Sequence, residues 1–184
     1  MHIVQTIQKN LGFSSIEKID PNTQQVPGSD QLLGNNAMAQ AAIPAILLGI
    51  FNRLEQNPDP EVLYEAPPAS LLESIFGKSA DAVANQIAEY SKIKDKHILQ
   101  ELEHIASEAV RVIREELGEN PTESHVRRFV TNNKRYTLLY LPPSLELGSI
   151  LHNNNLDDRT GKMEGPVSSF MRKVENTFNS SDKN

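Results

Sequence analysis

The stretch DKHILQELEHIASEAVRVIREEL, residues 95–117, decides the fold class, because its apolar residues recur every three or four positions. Gly118 follows directly, and glycine after the last periodic residue is a helix stop signal. So wide an apolar arc predicts that this helix is the longest in the chain and lies centrally in the core. The residues of the arc are Ile98, Leu99, Leu102, Ile105, Ala106, Ala109, Val110, Val112 and Ile113.

The rest of the chain repeats helical periodicity and shows no alternating strand pattern, which predicts an all-α multihelical bundle. Pro44 is expected to kink or divide its helix, and residues 136–141 either extend a helix or form a short strand. We predict one helical domain over residues 1–178 and a disordered tail over 179–184. The further predicted helices cover residues 3–11, 36–54, 70–76, 79–90, 120–132 and 166–178.

The composition and the charge of the chain exclude several kinds of site and argue against others. The 184 residues include no Cys, which excludes disulfides, thiolate metal sites and cysteine nucleophiles. A net charge of −6 argues against a nucleic-acid binder that relies on its overall charge. The N-terminus lacks the pattern of a secretory signal, and the most apolar stretch, residues 41–51, is too short to span a membrane. We therefore expect a cytoplasmic protein without a membrane span or a cofactor.

A weak internal echo appears when the chain is shifted by 43 residues. The shift pairs Gly34 with Gly77 and aligns four alanines, at positions 37, 39, 41 and 45, with four others. Either the helical unit is pseudo-duplicated, or the match is the chance agreement that alanine-rich segments make easily.

Residues 76–88, FGKSADAVANQIA, lead into ILQEL at 98–102 and IASEAVRVI at 105–113. This succession resembles the YidB-like family of small bacterial all-helical proteins of unassigned function, in which a Gly-x-x-Ala helix precedes a longer Leu/Ile/Ala helix. The resemblance covers roughly residues 71–117 and, more faintly, 32–51. It implies an all-helical fold and a bacterial-type protein, and it carries over no catalytic or binding residue.

A polar loop near the C-terminus has the oxygen-ligand spacing of a calcium loop, with positions 1, 3, 5 and 12 counted from residue 153. It departs from that pattern because Asp158 stands where glycine permits the sharp turn, and Gly165-Pro166 follows the last ligand directly. The alternative is a turn-rich connector that leads into the final amphipathic helix. The candidate metal ligands are Asn153, Asn155, Asp157 and Glu164.

One face of the long helix offers a second candidate metal site, because a His-Glu-His-Glu series falls there at helical spacing. The run from Glu101 to His104 is a Glu-x-x-His element, as in di-iron bundles, but the chain contains no second such element. The alternative is an ordinary solvated face, and a metal site would need ligands from a second copy. The four residues are His97, Glu101, His104 and Glu108.

A basic cluster follows, and no acid interrupts the chain from His125 to Tyr140. It would suit phosphate, an acidic partner or RNA. The alternative is charge balance with the acidic preceding helix and with the helix C-terminus. The candidate anion-binding residues are Arg127, Arg128, Lys134 and Arg135.

Ala41, Ala45 and Gly49 form a ladder of small residues four apart, which lets two helices approach closely. We interpret the ladder as packing within the core, with a dimer seam as the alternative. No Gly-x-Ser-x-Gly, phosphate-binding glycine loop or His-Glu-x-x-His element is present.

Together these patterns indicate a non-catalytic helical protein that binds another protein or itself, a homodimer included. A metal-binding protein is the first alternative, and a binder of phosphate or nucleic acid through the basic cluster is the second, although nucleic acid is not the expected partner.

Overall fold

The computed structural model describes residues 2–19, 34–59, 70–93 and 97–151. Within these ranges the chain is 78% helical and contains no strand, which confirms the all-α prediction. Short 3-10 turns at residues 77–79, 138–140 and 143–145 connect the later helices. The helices are α1 (Ile3–Asn10), α2 (Asn35–Gln56), α3 (Leu71–Phe76), α4 (Ala80–Ser91), α5 (Ile98–Leu117), α6 (Glu123–Thr137) and α7 (Leu147–Ile150).

The central element is α2, which packs against α1, α3, α4, α5 and α6. Every residue from Ala37 to Phe51 is buried, because this helix is apolar on all sides and must be covered all round. Phe51 also meets Phe129 of α6 edge-on, with ring centroids 6.2 Å apart. The prediction that residues 95–117 form the longest helix is therefore wrong among the described elements, although α5 does pack in the core against α1, α2, α3, α4 and α6. At 22 residues, α2 is longer than the 20-residue α5, which is buried on one face only.

Pro44 does not divide α2, which the structure assigns as one continuous helix. Local signals place several other helix ends correctly. Ser70 and Thr122 cap α3 and α6, each accepting a hydrogen bond from the backbone N–H three residues on. Ser79 stands at the start of the predicted helix 79–90, where a serine is expected to cap it. Its hydroxyl instead makes no cap bond to α4 and donates to the carbonyl of Ile150 at 3.3 Å.

The segment 13–19 is fastened to the core by Gln40, a buried polar residue of α2 that is 1% exposed. Its side-chain amide donates to the carbonyls of Glu17 (3.0 Å) and Tyr140 (2.8 Å), and its oxygen accepts from the Glu17 N–H (2.8 Å). A fourth bond runs from the Ile19 N–H to the Leu139 carbonyl at 2.7 Å. These bonds join the N-terminal segment to the turn that follows α6.

Gly34 and Gly77, which the 43-residue shift pairs, share one backbone conformation. Their φ and ψ values are 66° and −134° for Gly34, and 57° and −132° for Gly77. Both lie just before a helix, where a positive φ favours glycine. This likeness is consistent with a duplicated unit, which stays a prediction.

Candidate functional site

The predicted calcium-type loop over residues 153–164, the helix at 166–178 and the tail at 179–184 lie outside the described residues. The ligand set of Asn153, Asn155, Asp157 and Glu164 therefore stays a prediction.

The His/Glu face of α5 lies on the outside of the bundle. Glu101 and His104 are exposed, and His97 precedes the first residue of the helix, with its Nδ1 atom 3.0 Å from the Gln100 side-chain oxygen. Across the described ranges, no three His, Asp or Glu side chains are grouped so that they could hold a metal ion. A metal site on this face would need ligands from elsewhere.

Glu108, the last residue of that face, is committed to contacts within the chain. Its carboxylate accepts from Asn10 of α1 at 2.8 Å and from Arg111 at 2.6 Å and 2.7 Å. The hydrogen bond from Arg111 is the main reason that the pKa of Glu108 lies below its ordinary value, against the opposing effect of burial. The side chain is only 13% exposed, so Glu108 acts as a structural link between α1 and α5.

The structure divides the predicted basic cluster into two classes. Arg127 pairs with Glu123 one turn earlier at 2.7 Å, and Lys134 pairs with Glu55 of α2 at 2.5 Å. Arg128 and Arg135 are exposed and form no ion pair with any described residue. Within the described part of the chain, Arg128 and Arg135 are therefore the two of the four cations that have no acidic partner.

These two arginines belong to one surface, which we call the α6 outer stripe. Its members are Arg128, Asn132, Arg135 and Leu139, spaced at i, i+4, i+7 and i+11, so they follow one side of α6 and the turn after it. All four are exposed, and Leu139 is 43% exposed, which is unusual for a large apolar side chain here. The stripe combines positive charge with an apolar end.

Sequence reasoning missed an aromatic cluster that lies next to α6. Tyr136 stacks on His2 with ring centroids 3.5 Å apart, and the Lys18 ammonium group lies 5.0 Å from the Tyr136 ring centre. The hydroxyl groups of Tyr136 and Tyr140 are 2.8 Å apart. Burial first, and then this hydrogen bond, raise the pKa of Tyr140 to about 12. A phenol that remains neutral at physiological pH suits a structural role better than acid–base chemistry.

The small-residue ladder packs within the chain. Ala41, Ala45 and Gly49 are all buried in α2. A Cβ atom at Gly49 would lie 2.7 Å from Ile75 Cγ2 and would also meet the ring of Phe76, so glycine is what allows α3 to approach α2. In this fold the ladder serves an intramolecular contact.

A polar cleft was also missed by sequence reasoning, and it lies beside that helix contact, since Gly49, Ile75 and Phe76 also line it. It has a volume of about 320 Å³ and opens between the C-terminal half of α2 and the corner where α3 meets α4. We call it the Arg53 cleft, after the one cation among the described residues that line it. Its described lining residues come from α2, α3, the 3-10 turn at 77–79 and Leu151 after α7, so no local motif indicates it.

Comparison of the chain with protein-family models, with curated proteins and with solved structures finds no match. By length and composition α2 could also cross a membrane, but 89% of its most apolar window is buried inside this fold. The core helix of a soluble protein passes the same test, so the apolarity of α2 is explained by its central position.

Proposed function

We propose that this protein is non-catalytic and works by protein binding, with a second copy of the same chain as the partner. The observation that carries the proposal is the α6 outer stripe. Its arginines are exposed and unpaired among the described residues, although the chain as a whole carries a net charge of −6. A charged surface with an apolar end is typical of the rim and edge of a weak protein interface.

The chain itself supplies the complementary charges. Glu116 and Glu119, at the end of α5 and just beyond it, are exposed and form no ion pair with any described residue. In a two-fold symmetric pair, each chain offers both surfaces, so arginines of one copy would meet glutamates of the other twice. Exposed ion pairs contribute only about 0.2–1 kcal/mol each, which makes the expected dimer weak and sensitive to salt.

Nucleic acid is the less suitable partner for the same surface. Two free arginines offer a small phosphate contact, and a binding site for a nucleic-acid backbone depends on several cations together. Arg127 and Lys134 do not enlarge it, because Glu123 and Glu55 already pair with them.

The experiment is light scattering over a wide range of protein concentration, at low and at high salt. We expect reversible dimerisation that weakens as salt is added. Replacing both stripe arginines, Arg128→Glu with Arg135→Glu, should weaken it more than tenfold. Adding Glu116→Arg and Glu119→Arg to that variant should restore it, because the charges are then exchanged. The matched control, Lys9→Glu with Lys78→Glu, changes net charge equally at exposed sites elsewhere and should leave the dimer intact.

Two results would overturn the proposal. One is a monomer at every concentration and salt level. The other is a dimer that the stripe substitution leaves unchanged, since the contact would then lie on another surface.

A further inference from the structure

The Arg53 cleft has the composition of an anion site. Asn52, Arg53 and Gln56 line it from α2, and Ser74 and Ser79 line it from the opposite wall. These side chains offer one guanidinium group, two amides and two hydroxyls. None of the described lining residues carries a carboxylate, so the cleft is locally positive on an acidic protein.

Arg53 is held in a defined orientation before any ligand arrives. Its Nη1 atom donates to the Ser74 hydroxyl at 2.7 Å and also to the Ser74 carbonyl. Because these bonds use one nitrogen, the Nε and Nη2 groups have no partner among the described residues. No buried side-chain nitrogen or oxygen lacks a partner in the described part of the chain, so these N–H groups are open to solvent. A guanidinium group fixed in this way loses little freedom on binding.

We propose that the Arg53 cleft binds a small ligand that carries a phosphate group. A planar guanidinium group with two N–H donors unpaired among the described residues matches two oxygens of a phosphate. The Ser74 hydroxyl, which only accepts from Arg53, and the Gln56 amide can donate to the remaining oxygens. The volume of about 320 Å³ lies at the lower end of the range for small-molecule pockets, which favours a phosphate monoester over a nucleotide. The apolar wall formed by Phe76 would cover the ester's carbon atoms.

The first measurement is isothermal titration calorimetry with inorganic phosphate and with glycerol phosphate, at constant ionic strength. A saturable signal is expected with both probes. Malonate is the comparison, because each of its carboxylates shares the two-oxygen geometry but places fewer acceptor oxygens around one centre than phosphate does. Malonate should bind at least tenfold more weakly than phosphate.

Variants separate binding in the cleft from a general salt effect, since phosphate stabilises most proteins by exclusion from their surfaces. Arg53→Gln should lower the affinity for phosphate at least tenfold. Because this change also removes the bonds to Ser74, a second variant, Gln56→Glu, keeps Arg53 and places a negative charge in the cleft. It should weaken binding to a similar degree. The control Gln100→Glu adds the same charge at an exposed position on α5 and should leave binding unchanged, and circular dichroism should show that all three variants fold.

The proposal is overturned if phosphate gives no saturable signal at millimolar concentration, or if all variants bind equally. Malonate binding as tightly as phosphate would overturn the assignment of the ligand class. None of these results depends on the dimer, because the α6 outer stripe shares no residue with the cleft.

Discussion

Replacing Gln40 with leucine is expected to destabilise the protein although the new side chain fills a similar volume. Three hydrogen bonds disappear together, and all three join α2 to backbone groups of Glu17 and Tyr140. Glu17 is exposed, so water can replace the two bonds made to its backbone at a cost of about 0.5–1 kcal/mol each. Tyr140 is 2% exposed, and its carbonyl, left buried without a donor, costs about 1–3 kcal/mol more. We therefore expect a loss of about 2–5 kcal/mol, a large part of the stability of a domain.

The assay is urea unfolding followed by far-ultraviolet circular dichroism. With a slope of about 2 kcal/mol per molar urea, the midpoint should fall by about 1–2.5 M with little change in slope. The control Gln56→Leu makes the same substitution at an exposed position of α2 and should stay within about 0.5 kcal/mol of the parent. Hydrogen exchange gives a local check, because the amides of Glu17 and Ile19 should exchange faster once the segment is released.

A shift below about 0.5 kcal/mol for Gln40→Leu would refute the reasoning, as it would mean that the three backbone groups find equal partners in the variant. Faster exchange throughout the molecule, with no preference for residues 13–19, would instead contradict the local role of Gln40.

Two further substitutions test other contacts. Gly49→Ala should destabilise the protein by about 1–3 kcal/mol and so lower its melting temperature, because a Cβ atom would overlap Ile75. We expect this overpacking to exceed the roughly 1 kcal/mol that alanine gains over glycine in a helix. An unchanged or higher melting temperature would show that α3 moves away freely. Glu108→Gln should lower stability at pH 7 and also reduce the loss of stability on acidification. The pKa of Glu108 is depressed in the folded protein, chiefly by Arg111, so its contribution is present above the ordinary carboxyl pKa and disappears as the pH falls through the folded value. Parallel stability curves for parent and variant between about pH 7 and pH 3 would contradict this.

Residue spacing along the sequence did not predict the ion pairs or the cleft of the candidate sites. Sequence spacing identified four cations near α6, but it could not show that Lys134 pairs with Glu55, which is 79 positions away. It also gave no indication of the Arg53 cleft, whose described walls come from residues 49–56, 74–79 and 151. Charge pairing and cavity shape depend on distances through space, and spacing along the chain does not report them.

By itself, the sequence determined the all-α class and most helix ends. These follow from local interactions. Apolar periodicity selects the helical conformation, and Ser70 and Thr122 accept hydrogen bonds from free N–H groups at the starts of α3 and α6. Gly118 takes the positive φ that ends α5. Only the tertiary structure decided that α2 is covered on every side and α5 on one face. Each of the two helices packs against five others, but α2 is enclosed by them, whereas α5 keeps its polar face in solvent. The same packing left Arg128 and Arg135 exposed and without an ion pair to any residue that the structure describes, and so created the surface on which the proposed function depends.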